Sequence, residues 1–257
     1  MNNRCFNCQV KDKIVRSLSA SGRISALLAS AVIEQNGIVY GAAYSNDFRR
    51  VDIDWVDNMH DYYARISKSK YVYSFMPKFD EIRQKVENGR KVLIGALPCQ
   101  IVALAKFLGK KYPNLYMAAL KCHGSTNPKI YSCFIDRIEE ENKSKLISFD
   151  FRKNHKFEVV ARFANGKTIV YCIDLFMNNN CEHCQSCKVK WDNEYADFII
   201  GDYWEYQKNR ETLFDQSLTV KDGISFLKVK TEKGMKLFEQ VKEQLNYKEF
   251  DNSKIKY

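Results

Sequence analysis

The chain lacks any apolar run long enough to span a membrane, and its first residues, Met1-Asn2-Asn3-Arg4-Cys5, hold no apolar signal region. Both absences predict a cytoplasmic protein with no membrane partner. Internal repeats, low-complexity segments and flexible linkers are missing too, which excludes a solenoid or a string of tethered modules. No dense Arg/Lys block is interleaved with aromatic residues. Nucleic acid therefore ranks last among partners, even though 41 Lys+Arg against 31 Asp+Glu leave +10. A lysine-rich solvated surface accounts for that charge; an anionic cofactor and an acidic protein partner are the sharper readings.

Sulfur is plentiful instead. Nine cysteines are many for a chain without a secretion signal, and in a reducing compartment they serve as ligands or core residues rather than disulfides. Hydrophobic residues make up 45% of the 257 positions, enough for one large domain or two small ones.

Local patterns alternate between helix and strand. A Ser cap in Ser19-Ala20-Ser21-Gly22 and an Asn-Gly stop at Asn36-Gly37 bracket a helix over Ile24 to Ile33. Gly37 to Tyr44 and Val51 to Val56 read as strands, the second with one wet face. Pro77 to Asn88 is a helical pattern, Lys91 to Gly95 a buried strand, and Pro98 opens a helix that stops at Gly109. Leu115 to Leu120 is a strand, and a helix follows Asn127-Pro128 through Glu141. Next, Asn165-Gly166 predicts a two-residue primed turn between strands at Phe157 to Phe163 and Lys167 to Tyr171. Ala196 to Gly201 and Gly223 to Val229 are strands, and Thr231 to Leu245 is an amphipathic helix. The expected fold is α/β, with α+β elements in the C-terminal half. It has a mixed sheet with flanking helices, a β-hairpin and a cysteine-rich loop. A soft boundary near Gly89 separates 1–88 from 89–257 without making two independently stable units.

Three stretches carry thiols suited to ligation: Leu97-Pro98-Cys99-Gln100, Lys121-Cys122-His123-Gly124, and Cys181-Glu182-His183-Cys184-Gln185-Ser186-Cys187. Cys99 and Cys122 each follow a predicted strand, so both face the crevice at the carboxyl ends of an open sheet. Spacing alone leaves three readings open: an iron-sulfur cluster, a tetrahedral zinc site, or no metal with Cys99 and Cys122 as small core residues. Cys5 and Cys8 form another C-x-x-C pair, read as a frayed terminus or a metal pair shared with a partner. Cys133 and Cys172 are read as packing residues. The turn from Ser19 to Arg23 suits phosphate at a helix start, or is a plain cap. The segment from Ser69-Lys70-Tyr71-Val72 could set a cation and aromatic rings beside a cofactor, or be an exposed strand. Gly201-Asp202-Tyr203-Trp204 ends a strand, where Asp202 could bond a ligand or merely close a turn.

Taken in order, these segments resemble the coenzyme F420 hydrogenase/dehydrogenase beta subunit family, together with Ala196-Asp197, Gly223-Ile224-Ser225-Phe226 and Thr231-Glu232-Lys233-Gly234. The resemblance covers nearly the whole chain. It implies an iron-sulfur flavoprotein oxidoreductase that passes electrons between a 4Fe-4S cluster and FAD. A deazaflavin such as coenzyme F420, or another small organic acceptor, would receive them. By similarity Cys99, Cys122, Cys184 and Cys187 hold the cluster, with Cys181 in reserve. Ser19, Ser21, Gly22 and Arg23 bind flavin phosphates, and Lys70, Tyr71, His123, Gly124 and Asp202 lie near the cofactor. Residues 1–88 then become a flavin-phosphate part and 89–257 an iron-sulfur and flavin part. His123 is a candidate for acid-base work because imidazoles in general titrate near neutral pH, although a structural role beside the cluster fits it better.

Two departures are visible. Where the family turn carries a second glycine this chain has Arg23, which either strengthens a phosphate contact or blocks close approach. The chain also reads as a short member without the family's N-terminal ferredoxin-like segment, so a separate donor such as ferredoxin is expected, and a homo-oligomer is left open. The rival reading is a non-enzymatic, zinc- or cluster-stabilised interaction module with a vestigial flavin site.

Overall fold

In the computed structural model, residues 4–17, 22–76, 78–152, 158–190, 192–203, 218 and 223–251 are described. The elements run β1 (Arg4–Val10), α1 (Ile24–Ile33), β2 (Ile38–Tyr44), β3 (Val51–Val56), α2 (Phe79–Glu87), β4 (Val92–Ala96), α3 (Pro98–Leu108), β5 (Leu115–Leu120) and α4 (Pro128–Asn142). Then come β6 (Leu146–Phe151), β7 (Glu158–Phe163), β8 (Thr168–Cys172), β9 (Phe198–Asp202), β10 (Ser225–Val229), α5 (Glu232–Val241) and β11 (Leu245–Phe250).

Eight strands form one sheet in the order β11-β1-β10-β9-β5-β4-β2-β3, and β6-β7-β8 form a separate antiparallel sheet. The centre of the large sheet is parallel: β2 with β4, β4 with β5, and β5 with β9. These strands are short apolar runs because helices cover both faces. Leu93 and Ala118 turn toward α1 and α5, packing with Leu28, Val32, Leu237 and Phe238. Val92, Ile94, Leu115 and Met117 turn toward α2 and α3, packing with Ile82, Val86, Ile101 and Leu104. The small sheet packs Phe149, Phe151, Val159 and Phe163 against Tyr131, Ile135 and Ile138 of α4.

The α/β class, the mixed sheet with flanking helices and most element positions match the sequence reading. Five local expectations do not hold. Residue Arg23 stands at the N-cap of α1 in the left-handed conformation (φ 73°) with no side-chain cap bond, so no serine occupies that position. The hairpin turn has three residues: Phe163 N–H donates to the Lys167 carbonyl, Gly166 has φ 85°, and Asn165 is not among the positive-φ residues, which rules out a primed pair. The last helix stops at Val241, its Thr231 cap accepting from Gly234 N–H, and Leu245 begins strand β11 instead.

The remaining two corrections concern thiols. Cys5 and Cys8 are not a frayed terminus; both are buried in β1. Side chains three apart on a strand face opposite ways, and Cys5 packs with Ile199 and Phe226 while Cys8 packs with Val10 and Leu227. They cannot grip one metal together. Cys133 and Cys172 are exposed rather than packed. Cys133 is out of phase with the buried Tyr131, Ile135 and Ile138 of α4, and Cys172 belongs to the outward row of β8.

Candidate functional site

The carboxyl ends of the parallel strands converge on one region. After β4, Leu97 is extended, and the Gln100 carboxamide accepts from Leu97 N–H (3.0 Å) while donating to the Ser74 carbonyl (2.7 Å). That clamp fixes the start of α3, whose second residue is Cys99. After β5, Cys122 N–H donates to the Lys190 carbonyl (3.1 Å) and Gly124 N–H donates to Cys122 Sγ (3.4 Å). Gly124 has φ 118°, and a Cβ there would lie 2.5 Å from the Asn180 amide, so this turn requires glycine. Cys181 N–H donates to the Ser125 carbonyl (2.9 Å), and Thr126 bridges Asn180. Those bonds lace the cysteine-rich loop over the turn after β5. Residues Glu182–Gln185 form one helical turn that carries Cys184.

Sulfur therefore gathers from three stretches. Burial pushes the Cys99 thiol up to about 11, and the neighbouring Cys122, Cys187 and Cys184 push it further in the same direction. Burial also raises Cys122; the Gly124 N–H opposes this, and Cys184 and Cys187 add to it. Tyr73 is raised by burial and then by Cys99, Cys181 and Cys184. Thus Cys99 and Cys122 lie within each other's electrostatic reach and within that of Cys184 and Cys187. Cys99 and Cys122 resist ionisation chiefly because they are buried, and further because neighbouring thiolates would repel a second negative charge, a conflict that a bound cation relieves. A soft four-sulfur donor set suits iron-sulfur or zinc chemistry. Among the described residues a different trio of donors is drawn together: Cys181, His183 and Cys184 lie within 4.8 Å of one another.

Beside the thiols lies a cavity of about 270 Å³. Its walls include Arg23, Lys70, Tyr71, Cys122, His123, Gly124 and Asp202, seven of the predicted site residues. Two more predicted residues, Ser19 and Ser21, lie outside the described residues. Residue Gly22 stands behind the wall: its carbonyl accepts from Val10 N–H, and a Cβ would lie 2.3 Å from the Cys8 carbonyl and 2.5 Å from Ser225 N. This glycine serves close packing on β1 and β10. Cys99, Cys184 and Cys187 do not line the cavity; among the four thiols only Cys122 does.

The cavity is basic. Among the described residues Arg23, Lys68, Lys70, Lys121 and Arg152 line it against one carboxylate, Asp202. Arg152 pairs with Asp202 and bonds Tyr71. Lys68 pairs with Asp150 (2.5 Å), whereas the Lys70 ammonium donates to the Lys68 carbonyl (3.0 Å) and lies 5.2 Å over the Tyr44 ring. Burial, then the like charge of Lys68, pulls Lys70 down to about 7, with Asp150 opposing. Lysines whose pKa is lowered by burial and a like charge are concentrated at functional sites. Sequence reasoning missed Arg152, Lys68 and Lys121. Lys121 was legible, since it precedes Cys122 in the motif; nothing local singled out Arg152 at the end of β6.

The family profile for the C-terminal part of the coenzyme F420 hydrogenase/dehydrogenase beta subunit matches residues 89–253. Among solved structures the chain is similar to one from the F420-reducing NiFe hydrogenase complex of Methanosarcina barkeri, described after xenon derivatization. The identity is 14%, the TM-score is 0.64, and the match covers 98% of this chain and 83% of the other. That likeness is one of fold. No curated protein matches the sequence.

Proposed function

The chain belongs to the coenzyme F420 hydrogenase/dehydrogenase beta subunit family, whose members are subunits of oxidoreductases, and on that premise we propose that it is an iron-sulfur flavoprotein. Cys99, Cys122, Cys184 and Cys187 would hold one 4Fe-4S cluster, and the basic cavity would hold FAD. When bound, these groups supply one-electron and hydride chemistry respectively.

The chain's own residues do the positioning. Arg23, Lys121 and Lys68 put positive charge on the cavity wall, where flavin phosphates gain charge-assisted hydrogen bonds. The phosphate contacts expected of Ser19 and Ser21 lie outside the described residues, and Gly22 packs behind the wall rather than on it. Lys70, Tyr71, His123 and Gly124 shape the wall, and Asp202 keeps Arg152 oriented. Residues from both 1–88 and 89–257 line the same cavity, which supports reading the flavin part and the iron-sulfur part as one unit. Among the described residues no helix is long and apolar enough to cross a membrane. An acidic ferredoxin-type donor suits the net charge of +10, as does an anionic organic acceptor such as coenzyme F420, and both would meet the protein in the cytoplasm.

One observation carries this reading: Cys122 belongs to the thiol group and to the cavity wall at once. Electron transfer between the two cofactors needs that adjacency. The test is anaerobic reconstitution with iron, sulfide and FAD, followed by metal, sulfide and flavin analysis and visible absorption. Bound flavin with a broad iron-sulfur shoulder is expected. A colourless chain that retains neither would overturn the proposal.

A further inference from the structure

The donors of the 4.8 Å trio, Cys181 Sγ, a His183 ring nitrogen and Cys184 Sγ, are a thiolate-imidazole-thiolate set on one short turn. Cys181 is the N-cap of the turn and Cys184 N–H donates back to its carbonyl (2.9 Å), so the backbone presents both sulfurs from a single turn of one loop. The His183 ring is packed edge-on against Tyr73, centroids 5.4 Å apart at 84°, which limits its swing. Cys181 is 7% exposed, whereas His183 is exposed. The site is therefore anchored on its inner side and open on its outer side.

We propose that Cys181, His183 and Cys184 form a second metal site, for one soft divalent cation of zinc's type, with its fourth position open to water. Tetrahedral zinc with two sulfurs and one nitrogen places its ligand atoms roughly 3.3–3.8 Å apart, so the trio has only to contract slightly. Sulfur and imidazole together select zinc-like ions over magnesium or calcium. A single ion suits this trio better than the wider group of Cys99, Cys122, Cys184 and Cys187, where no three donors lie as close. A four-iron core spans more space, because each thiolate binds a different iron.

Cys184 belongs to both groups. One sulfur cannot serve both in full, so the single ion and the cluster exclude each other, and a zinc-loaded loop keeps iron-sulfur out. This competition rests on the cluster reading above; the single-ion site does not. The loop is then a metal-responsive switch that decides whether the electron path is complete.

The test is cobalt(II) titration of the full chain, purified anaerobically and stripped of iron by a chelator. One equivalent is expected, with sulfur-to-cobalt charge-transfer absorption and tetrahedral ligand-field bands. Cys181→Ala and His183→Ala should each weaken binding roughly tenfold or more, since even outer-shell partners of a metal are worth that much. His183→Cys should restore it. Cys99→Ala and Cys122→Ala should leave cobalt binding intact, and circular dichroism reports whether each variant folds. Zinc loaded beforehand should cut later iron uptake in the parent chain but not in His183→Ala. Cobalt binding that ignores His183→Ala and vanishes in Cys99→Ala would overturn the site. Unchanged iron uptake after zinc loading would overturn the competition. A chain that never takes up flavin or cluster still gives a readable cobalt titration, so the two readings fail separately.

Discussion

The Arg152 guanidinium pairs with the Asp202 carboxylate across the gap between the two sheets, one residue past the end of β6 and at the last residue of β9. Arg152 is buried and adopts φ 61°, so it reaches the cavity from a backbone shape that non-glycine residues seldom take. Removing one partner of such a pair strands the other. Asp202→Asn should cost about 3 kcal/mol of stability, the lower end for a buried pair because Asp202 is partly exposed. Arg152→Met added to it should recover part of that loss. Urea denaturation of both single variants and the double gives the coupling energy. Additive losses would mean that the pair does not tie the sheets together.

The ligand assignment separates eight of the nine cysteines into two classes, with Cys181 left in reserve. Cys99→Ala and Cys184→Ala should each abolish bound iron after anaerobic reconstitution. Cys133→Ala and Cys172→Ala, both exposed, and Cys5→Ala and Cys8→Ala, both buried in β1, should keep it. Iron and sulfide analysis decides this. Retention of iron in both Cys99→Ala and Cys184→Ala would refute the assignment.

Lys70 predicts a pH dependence with a definite sign. In the folded chain it gives up its proton near pH 7, while in the unfolded chain it stays charged to about pH 10.5. Between those limits the unfolded state binds more protons, so this group's contribution to stability rises with pH, and below the window its penalty is complete. Lys70→Met should therefore raise Tm more at about pH 6 than at about pH 9. FAD affinity of the parent chain should fall as pH rises through and beyond 7, at a midpoint that the bound anion itself moves upward, and Lys70→Met should flatten that slope. Equal Tm gains at both pH values would show that Lys70 is not desolvated.

Gly22→Ala tests the packing behind the cavity. The new methyl group meets two backbone atoms, the Cys8 carbonyl at 2.3 Å and Ser225 N at 2.5 Å, and neither belongs to a flexible side chain. The strands must separate, at a cost of about 1–3 kcal/mol. Because Arg23 and Ser225 both line the cavity, FAD uptake should fall along with Tm. Unchanged Tm would mean that β1 and β10 yield without cost.

Much of this was legible in the sequence because the parallel strands are apolar runs punctuated by Gly, Pro and Asn. Leu115 to Leu120 and the helix after Pro98 fall where the pattern puts them. Strand β1 was not legible: Arg-Cys-Phe-Asn-Cys-Gln-Val has no alternation, since the sheet buries Asn7 and Gln9 as well as Phe6 and Val10. β11 was hidden by its polar, half-wet pattern next to a helix. Arg23 misled in an instructive way. Its backbone is left-handed (φ 73°), a conformation that glycine takes most easily, and here that position carries a cavity-lining cation instead. Arg152 and Lys68 came from strand ends and loops that only the tertiary fold brings near Lys70.

The position of β1 between β10 and β11 has a consequence for biogenesis. Cys8 pairs with Ser225 across 217 positions of chain, so β1 has no sheet partner until the segment carrying β10 and β11 has been synthesised. Closing so large a loop is slow compared with local helix formation. Gly22, and with it the floor beneath Arg23, is seated only once that late strand arrives. A chain cut short before β10 would lack that floor, and the cavity wall around Arg23 would lose its support.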